Sequence, residues 1–310
     1  MIGKDFLTGE EANAVDLDAL MARSLELKEK QKRGGGARLL EHKSVAMIFE
    51  KPSTRTRISF EVGLAQLGAY PVMLSGREMQ LGRGETIEDT GRVISRYCDA
   101  IVIRTFEQEK LDALAAAATV PVVNALSDMY HPCQALADML TIREKKGGLA
   151  GMKLAYFGDG NNVCHSLLLA AATVGMNMSV ACPDDYRPMV DVVKAAERLA
   201  SISGAEIMVT NDALTAADKA DALYTDVWVS MGQEEEKEAR LRALRPYQIG
   251  ETCLAAAKDD VIVMHCLPAH RGEEIEASVL DGPHSVVFDQ AENRLHAQKA
   301  LMATLLGAEA

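Results

Sequence analysis

The chain has 310 residues, 48% hydrophobic and 25% charged, a length suited to two ordinary domains and a composition able to build sizeable cores. A formal charge of -12 and a pI of about 5.1 argue against a nucleic-acid or anionic-membrane surface, so an anionic substrate needs a local basic pocket to draw it. Six cysteines (Cys98, Cys133, Cys164, Cys182, Cys253, Cys266) show no CxxC pair and no zinc-ligand spacing, which predicts reduced thiols in a cytoplasmic protein. The N-terminus lacks a signal-type apolar segment, and no apolar run approaches the ~20 residues that span a bilayer.

In chain order, Thr8 and Glu11 fit an S/T-x-x-E capping box. Leu17, Leu20, Met21 and Leu25 then recur at helical spacing until "RGGG" (33–36) stops the pattern. Short apolar runs follow, alternating with longer helical ones. Strands are predicted at 44–49, 70–75, 100–105 and 121–125, then at 153–157, 178–182, 206–210, 222–228, 261–266 and 285–288. Continuous apolar runs suit buried parallel strands, and the alternation predicts an α/β fold of two doubly wound domains with parallel sheets, linked by helices. The divide falls in "REKKGGLAGMK" (143–153), where charge and glycine replace apolar periodicity, giving domains at 1–140 and 141–290. Residues 291–310 read as one amphipathic helix, which periodicity assigns to neither domain.

Ligands of open α/β sheets bind beyond the carboxyl ends of the strands. "STRT" (Ser53, Thr54, Arg55, Thr56) follows the first predicted strand and opens a helix. Arg104 ends the third strand, and His131 and Gln134 follow the fourth. Arginines at the positive end of a helix are unfavourable unless an anion joins them, so the motif reads as an anion site with Arg55 supplying charge. The plainer reading is a Ser53 N-cap with exposed arginines, Arg57 pairing with Glu61. "GDGNN" (158–162) lacks the third glycine of G-x-G-x-x-G and a placed acid for a ribose, so a tight turn presenting asparagine amides is the better reading. "YTDVWVSMG" (224–232) places a carboxylate, the lone tryptophan and a hydroxyl after a strand and reads as a binding loop hinged at Gly232, with the acidic run beyond it a solvated face. In "MHCLPAHRGEE" (264–274), His265 and Cys266 point to opposite strand faces, and two ligands fall short of a zinc set. Arg294, in "DQAENR" (289–294), brings another guanidinium near a helix start.

Taken together, "EKPSTRTRISFE", "MQLGRGETIEDT", "IVIRTF", "HPCQALADML", "GDGNN", "TDVWVSMGQEEEK", "HCLPAHRGEE" and "DQAENR" resemble, in order and over nearly the whole chain, the aspartate/ornithine transcarbamoylase family, and within it the ornithine branch. The resemblance implies a carbamoyl-phosphate domain onto which the helix at 291–310 packs back, followed by an amino-acid domain. It implies transfer of the carbamoyl group from carbamoyl phosphate to the side-chain amine of L-ornithine, giving L-citrulline and phosphate, with no metal or organic cofactor. A homotrimer or multiple of trimers with shared sites is implied too, and a place in arginine biosynthesis, although the residues do not fix the direction. Position by position, Ser53, Thr54, Arg55 and Thr56 correspond to phosphate ligands. Arg104, His131 and Gln134 correspond to ligands of the carbamoyl end, and Arg294 to a further contact. Gln80 corresponds to a loop residue completing a neighbouring subunit's site. Asn162, Asp226, Ser230 and Met231 correspond to the ornithine positions, and Cys266 and Leu267 to the point where the substrates meet. Arg55, Arg104, His131 and Cys266 form the expected catalytic set, while His270 and Arg271 receive no role. The rival readings are relatives acting on putrescine, N-acetylornithine or aspartate. An aspartate-type chain is expected to carry lysine where Gln80 stands and to lack "SMG".

Overall fold

The structure, a computed structural model, describes residues 1–75, 84–229 and 234–308. Its contacts divide the chain into one unit of Met1–Leu140 with Glu292–Ala310 and a second of Thr141–Ala291.

In the first unit, β1 (Ser44–Phe49), β2 (Tyr70–Ser75), β3 (Ala100–Arg104) and β4 (Val122–Leu126) form a parallel sheet in the order β2-β1-β3-β4. The apolar runs "SVAMIF" and "AIVIR" take the two central places because both of their faces are covered, and the middle of β1 and all of β3 are buried. The helices of this unit are α1 (Ala14–Lys32), α2 (Thr54–Gln66), α3 (Ile87–Ile94), α4 (Gln108–Ala117) and the greater part of α5 (Pro132–Lys146). Ile94, Leu111 and Leu114 of α3 and α4 pack on Ala46, Ile48, Ile101 and Ile103, each large side chain contributing about 1.5–3 kcal/mol on leaving water.

The second unit holds β5 (Lys153–Phe157), β6 (Asn177–Ala181), β7 (Ile207–Thr210), β8 (Ala222–Thr225) and β9 (Ile262–His265), parallel in the order β7-β6-β5-β8-β9. Between them run α6 (Asn162–Val174), α7 (Val190–Ser203), α8 (Ala213–Ala217), α9 (Lys237–Leu244) and α10 (Glu251–Ala256). The strands are followed by α11 (Ala277–Leu280) and α12 (Val287–Leu305), the latter belonging to the first unit from Glu292 onward. Strand order reverses beside β1 in one sheet and beside β5 in the other. Such switch points are where open α/β sheets take ligands. The registers put Phe49 opposite Arg104, Phe157 opposite Thr225, and Thr225 opposite His265, so the segments that leave these strands start side by side.

Three expectations need correction. Residues 285–288 are not a strand: Ser285 makes a single bridge to Val263, and the Gln290 N–H already donates to Val286 C=O in the opening turn of α12. The second sheet therefore has five strands among the described residues, and the last helix starts at Val287 rather than at 291. The strand expected at 222–228 stops at Thr225, because the Val227 N–H turns to the Asp226 carboxylate at 2.8 Å. Thr8 and Glu11 do pair, with the Glu11 carboxylate collecting the N–H groups of Leu7, Thr8 and Gly9, but α1 begins beyond them under an Asn13–Asp16 capping box. Among the described residues no helix is long and apolar enough to cross a membrane.

Candidate active site

Ser53 caps α2, its hydroxyl accepting the Thr56 N–H at 3.3 Å. The first turn of α2 contains no acidic residue, so its own sequence leaves the positive end of the dipole without a counter-charge. Thr54 and Arg55 are exposed there, and Arg57 pairs with Glu61 at 3.4 Å on the surface. Thr56 is buried, and its hydroxyl accepts a 2.7 Å hydrogen bond from Arg294 Nη2 of α12. Lys51, within the same segment, buries its amine over the Phe106 ring, 4.1 Å from the centroid, and pairs with Asp128.

Arg104 ends β3 and is 7% exposed. His131 directly precedes α5 and is also buried. Burial, together with the nearby charges of Arg294 and Arg104, holds the His131 imidazole well below its ordinary value, so it is neutral at physiological pH. Gln134, in the first turn of α5, donates from Nε2 to Asp138 at 2.8 Å. That bond orients the amide, and the buried Oε1 has no hydrogen-bond partner among the described residues. The first unit thus presents hydroxyls, helix N–H groups and guanidinium groups, followed by a neutral imidazole and an amide acceptor.

In the second unit, three strand ends act together. After β5, Gly158 takes φ +118°, and a Cβ there would lie 2.9 Å from Trp228 Nε1. At Gly160 a Cβ would fall 2.2 Å from the Pro188 backbone nitrogen, so this turn admits only glycine. Asn161 caps α6 through the Val163 and Cys164 N–H groups and donates from Nδ2 to Asp226 Oδ2 at 2.8 Å. The other Asp226 oxygen accepts the Cys266 thiol at 2.8 Å. Asp159 pairs with the buried Arg240, whose Nε donates to the Trp228 carbonyl at 2.7 Å. Burial nevertheless pushes the Asp159 carboxyl up to about 6: Arg240 opposes that rise and the charge of Asp226 adds to it.

His265 Nδ1 accepts the Leu267 N–H at 2.8 Å, which places the ring proton on Nε2, donated to Glu274 Oε1 at 3.1 Å. This anchor holds Leu267 at φ +58°, a left-handed conformation that costs a β- or γ-branched residue energy and clusters at functional sites. Asp226, His265 and Cys266 bring ligand-type atoms within 4.8 Å of one another, adding a third group to the pair the sequence showed. Both ring nitrogens of His265 are already engaged, so the cluster reads as a hydrogen-bonded array.

Ser53, Thr54, Arg55, Thr56, Arg104, His131, Gln134 and Arg294 thus fall in the first unit, and Asn162, Asp226, Cys266 and Leu267 in the second. Gln80, Ser230 and Met231 lie outside the described residues. Sequence reasoning gave no role to Lys51, the Asp159–Arg240 pair or Glu274, read "GDGNN" as a turn presenting asparagine amides without singling out Asn161, and weighed His265 only as a metal ligand. The doubled asparagine of "GDGNN" was the available signal for Asn161.

Residues 4–144 match the family described as aspartate/ornithine carbamoyltransferase, carbamoyl-P binding domain, and residues 150–305 match its Asp/Orn binding domain. The chain belongs to the aspartate/ornithine carbamoyltransferase family. Within that family, an ornithine carbamoyltransferase of Anoxybacillus flavithermus is 57% identical over 304 residues, covering 98% of this chain and 97% of the relative. One from Parafrankia sp. is 57% identical over 307 residues, covering 99% and 97%. The solved ornithine carbamoyltransferase of Pyrococcus furiosus superposes with a TM-score of 0.96 at 50% identity, covering 100% of this chain and 99% of the other. The carbamoyltransferase match to the second domain runs on through α12, whose residues from Glu292 group with the first unit here.

Proposed function

We propose that the first unit binds carbamoyl phosphate, the second binds L-ornithine, and the chain transfers the carbamoyl group to the side-chain amine, giving L-citrulline and phosphate. The end-to-end likeness to ornithine carbamoyltransferases carries the reaction, and the geometry supports the residue roles. Ser53, Thr54, Arg55 and Thr56 take the phosphate at the start of α2, with Arg294 held beside them through Thr56. Arg104 and the neutral His131 face the carbonyl oxygen, on which negative charge builds as the amine attacks. Gln134 Oε1 suits the carbamoyl NH2, because its amide is already oriented by Asp138. Asp226 is the anionic partner for the α-ammonium of ornithine, with Asn161 steadying it and Asn162, Ser230, Met231 and Leu267 completing that side.

The attacking amine begins near a lysine-like pKa of ~10.4 and must lose a proton. Cys266 stands as a thiol donor to Asp226, and the adjacent carboxylate opposes a second negative charge on sulfur. The departing phosphate is therefore the favoured proton acceptor, with Cys266 orienting Asp226. Cleavage of an acyl phosphate favours citrulline, and a biosynthetic role in the cytoplasm is the reading adopted.

With purified protein, carbamoyl phosphate and ornithine should react at kcat/KM at least ~10²-fold above putrescine, N-acetylornithine or aspartate, since putrescine and N-acetylornithine lack or block the α-amino-acid head that Asp226 and its neighbours bind and aspartate lacks the side-chain amine. Equal use of putrescine would remove the role given to Asp226.

A homotrimer, or a multiple of it, with Gln80 reaching a neighbouring copy completes the reading. Supporting it, β2 is an edge strand, and Ile58, Val62, Tyr70 and Val93 of the first unit are exposed apolar side chains. Mixing inactive Gln80→Ala and Arg55→Ala subunits should restore part of the activity. Mixtures as inactive as either parent would mean that each subunit works alone.

A further inference from the structure

The turn after Pro268 carries ligand-type side chains that the reaction does not use. His270 Nδ1 lies 3.6 Å from Glu274 Oε2, and one donor atom from each of His270, Glu273 and Glu274 lies within 4.8 Å of the others. The backbone presenting them is tied down. The Glu273 N–H donates to His270 C=O at 2.9 Å, the Gly272 N–H to Ile275 C=O at 2.8 Å, and Gln248 Nε2 to Glu273 C=O at 2.6 Å.

Glu274 is 0% exposed. Its Oε1 accepts from the His265 ring and from the His270 N–H, whereas Oε2 is buried with no hydrogen-bond partner among the described residues. A desolvated carboxylate oxygen without a donor is unfavourable, and coordination to a cation is a common remedy. Outside it, His270 is half-exposed and Glu273 partly so, which leaves a way in for an ion. Lys237 stands 3.9 Å from Glu273 Oε1, too far to hold that carboxylate by a hydrogen bond, and Arg271 is engaged by Asp281.

The geometry points to a site for one first-row divalent ion, of the Zn²⁺ class, held by His270 Nδ1 and the carboxylates of Glu273 and Glu274. One imidazole with two carboxylates is a donor set for Zn²⁺, Co²⁺ or Mn²⁺. Bonds of ~2.0–2.2 Å set neighbouring donor atoms roughly 3–3.5 Å apart, so the His270–Glu274 pair is nearly in place and Glu273 closes by side-chain rotation. The ion stands outside the reaction but shares Glu274 with it. Oε1 of that carboxylate orients His265, and His265 holds Leu267, so metal on Oε2 stiffens the support under Cys266 and Leu267.

The test uses full-length Cys266→Ser protein, which removes the one thiol near a competing cluster, titrated with Co²⁺ and then Zn²⁺. One equivalent of Co²⁺ should bind with visible d–d absorption and no thiolate charge-transfer band, and Zn²⁺ should displace it. Adding His270→Ala or Glu273→Gln, both substitutions of solvent-reaching side chains, should each weaken binding at least ~10-fold. In the parent protein Zn²⁺ should raise the melting temperature, and in His270→Ala it should not. No binding in the Cys266→Ser background overturns the site, as does unchanged affinity after either further substitution.

Discussion

Replacing Arg104 by glutamine is expected to lower kcat/KM for carbamoyl phosphate about 10³-fold, roughly 4 kcal/mol of transition-state stabilisation. The guanidinium is buried at the carboxyl end of β3, opposite Phe49, and four residues after Phe49 the chain reaches Ser53. A donor placed there before the reaction needs no reorganisation as charge grows on the carbonyl oxygen, and glutamine supplies a weaker, uncharged one. The substitution has a second readout. His131 is kept neutral first by burial, then by Arg294, then by Arg104. Removing Arg104 lifts one of these effects, so the folded imidazole takes up its proton at a higher pH than in the parent, while burial and Arg294 still hold it below the ordinary 6.5. The sign carries over to stability. The unfolded chain binds a proton that the folded one refuses, so the parent loses stability as pH falls below 6.5, and the variant loses less. NMR titration of the ring and steady-state kinetics check both halves. A folded variant with near-parental kcat/KM would remove Arg104 from the chemistry.

Asp226→Asn is expected to raise KM for ornithine at least ~10²-fold, about 3 kcal/mol, while leaving carbamoyl phosphate affinity within about twofold. The carboxylate accepts from Asn161, from the Cys266 thiol and from the Val227 N–H, all within the second unit. Asparagine keeps the size and one acceptor but forfeits the charge that answers an α-ammonium, and its NH2 sets donor against donor with Asn161 or Cys266. Calorimetry with carbamoyl phosphate alongside ornithine kinetics separates the two effects. Equal loss of both ligands would contradict the assignment of one substrate to each unit.

The regular parts of the architecture were legible because they are written in side-chain period. Continuous runs such as "SVAMIF" and "AIVIR" bury both faces and leave few alternatives to a central parallel strand. Residues 285–288 mislead for the same reason: "SVVF" has strand composition, yet only Ser285 bridges and the helix starts at Val287. Thr8 and Glu11 satisfy a capping pattern without opening a helix, because a local sequence match does not reveal a better cap at Asn13. The polar residues at strand ends could be named from the sequence, but the links between them could not. Asn161 to Asp226 spans 65 residues and Cys266 to Asp226 spans 40, separations set by which strands lie adjacent.

Among the candidate site residues, the link from Thr56 to Arg294 has a temporal consequence. Thr56 receives its guanidinium from a position 238 residues further on, in a stretch of helix, from Glu292, that the contacts group with Met1–Leu140. During synthesis the amino-terminal strands emerge well before α12, so Thr56 lacks its Arg294 partner until the last helix is made. If residues 53–56 hold the acyl donor as proposed, that competence is acquired late in translation, and a chain stalled after the second sheet lacks part of its first unit.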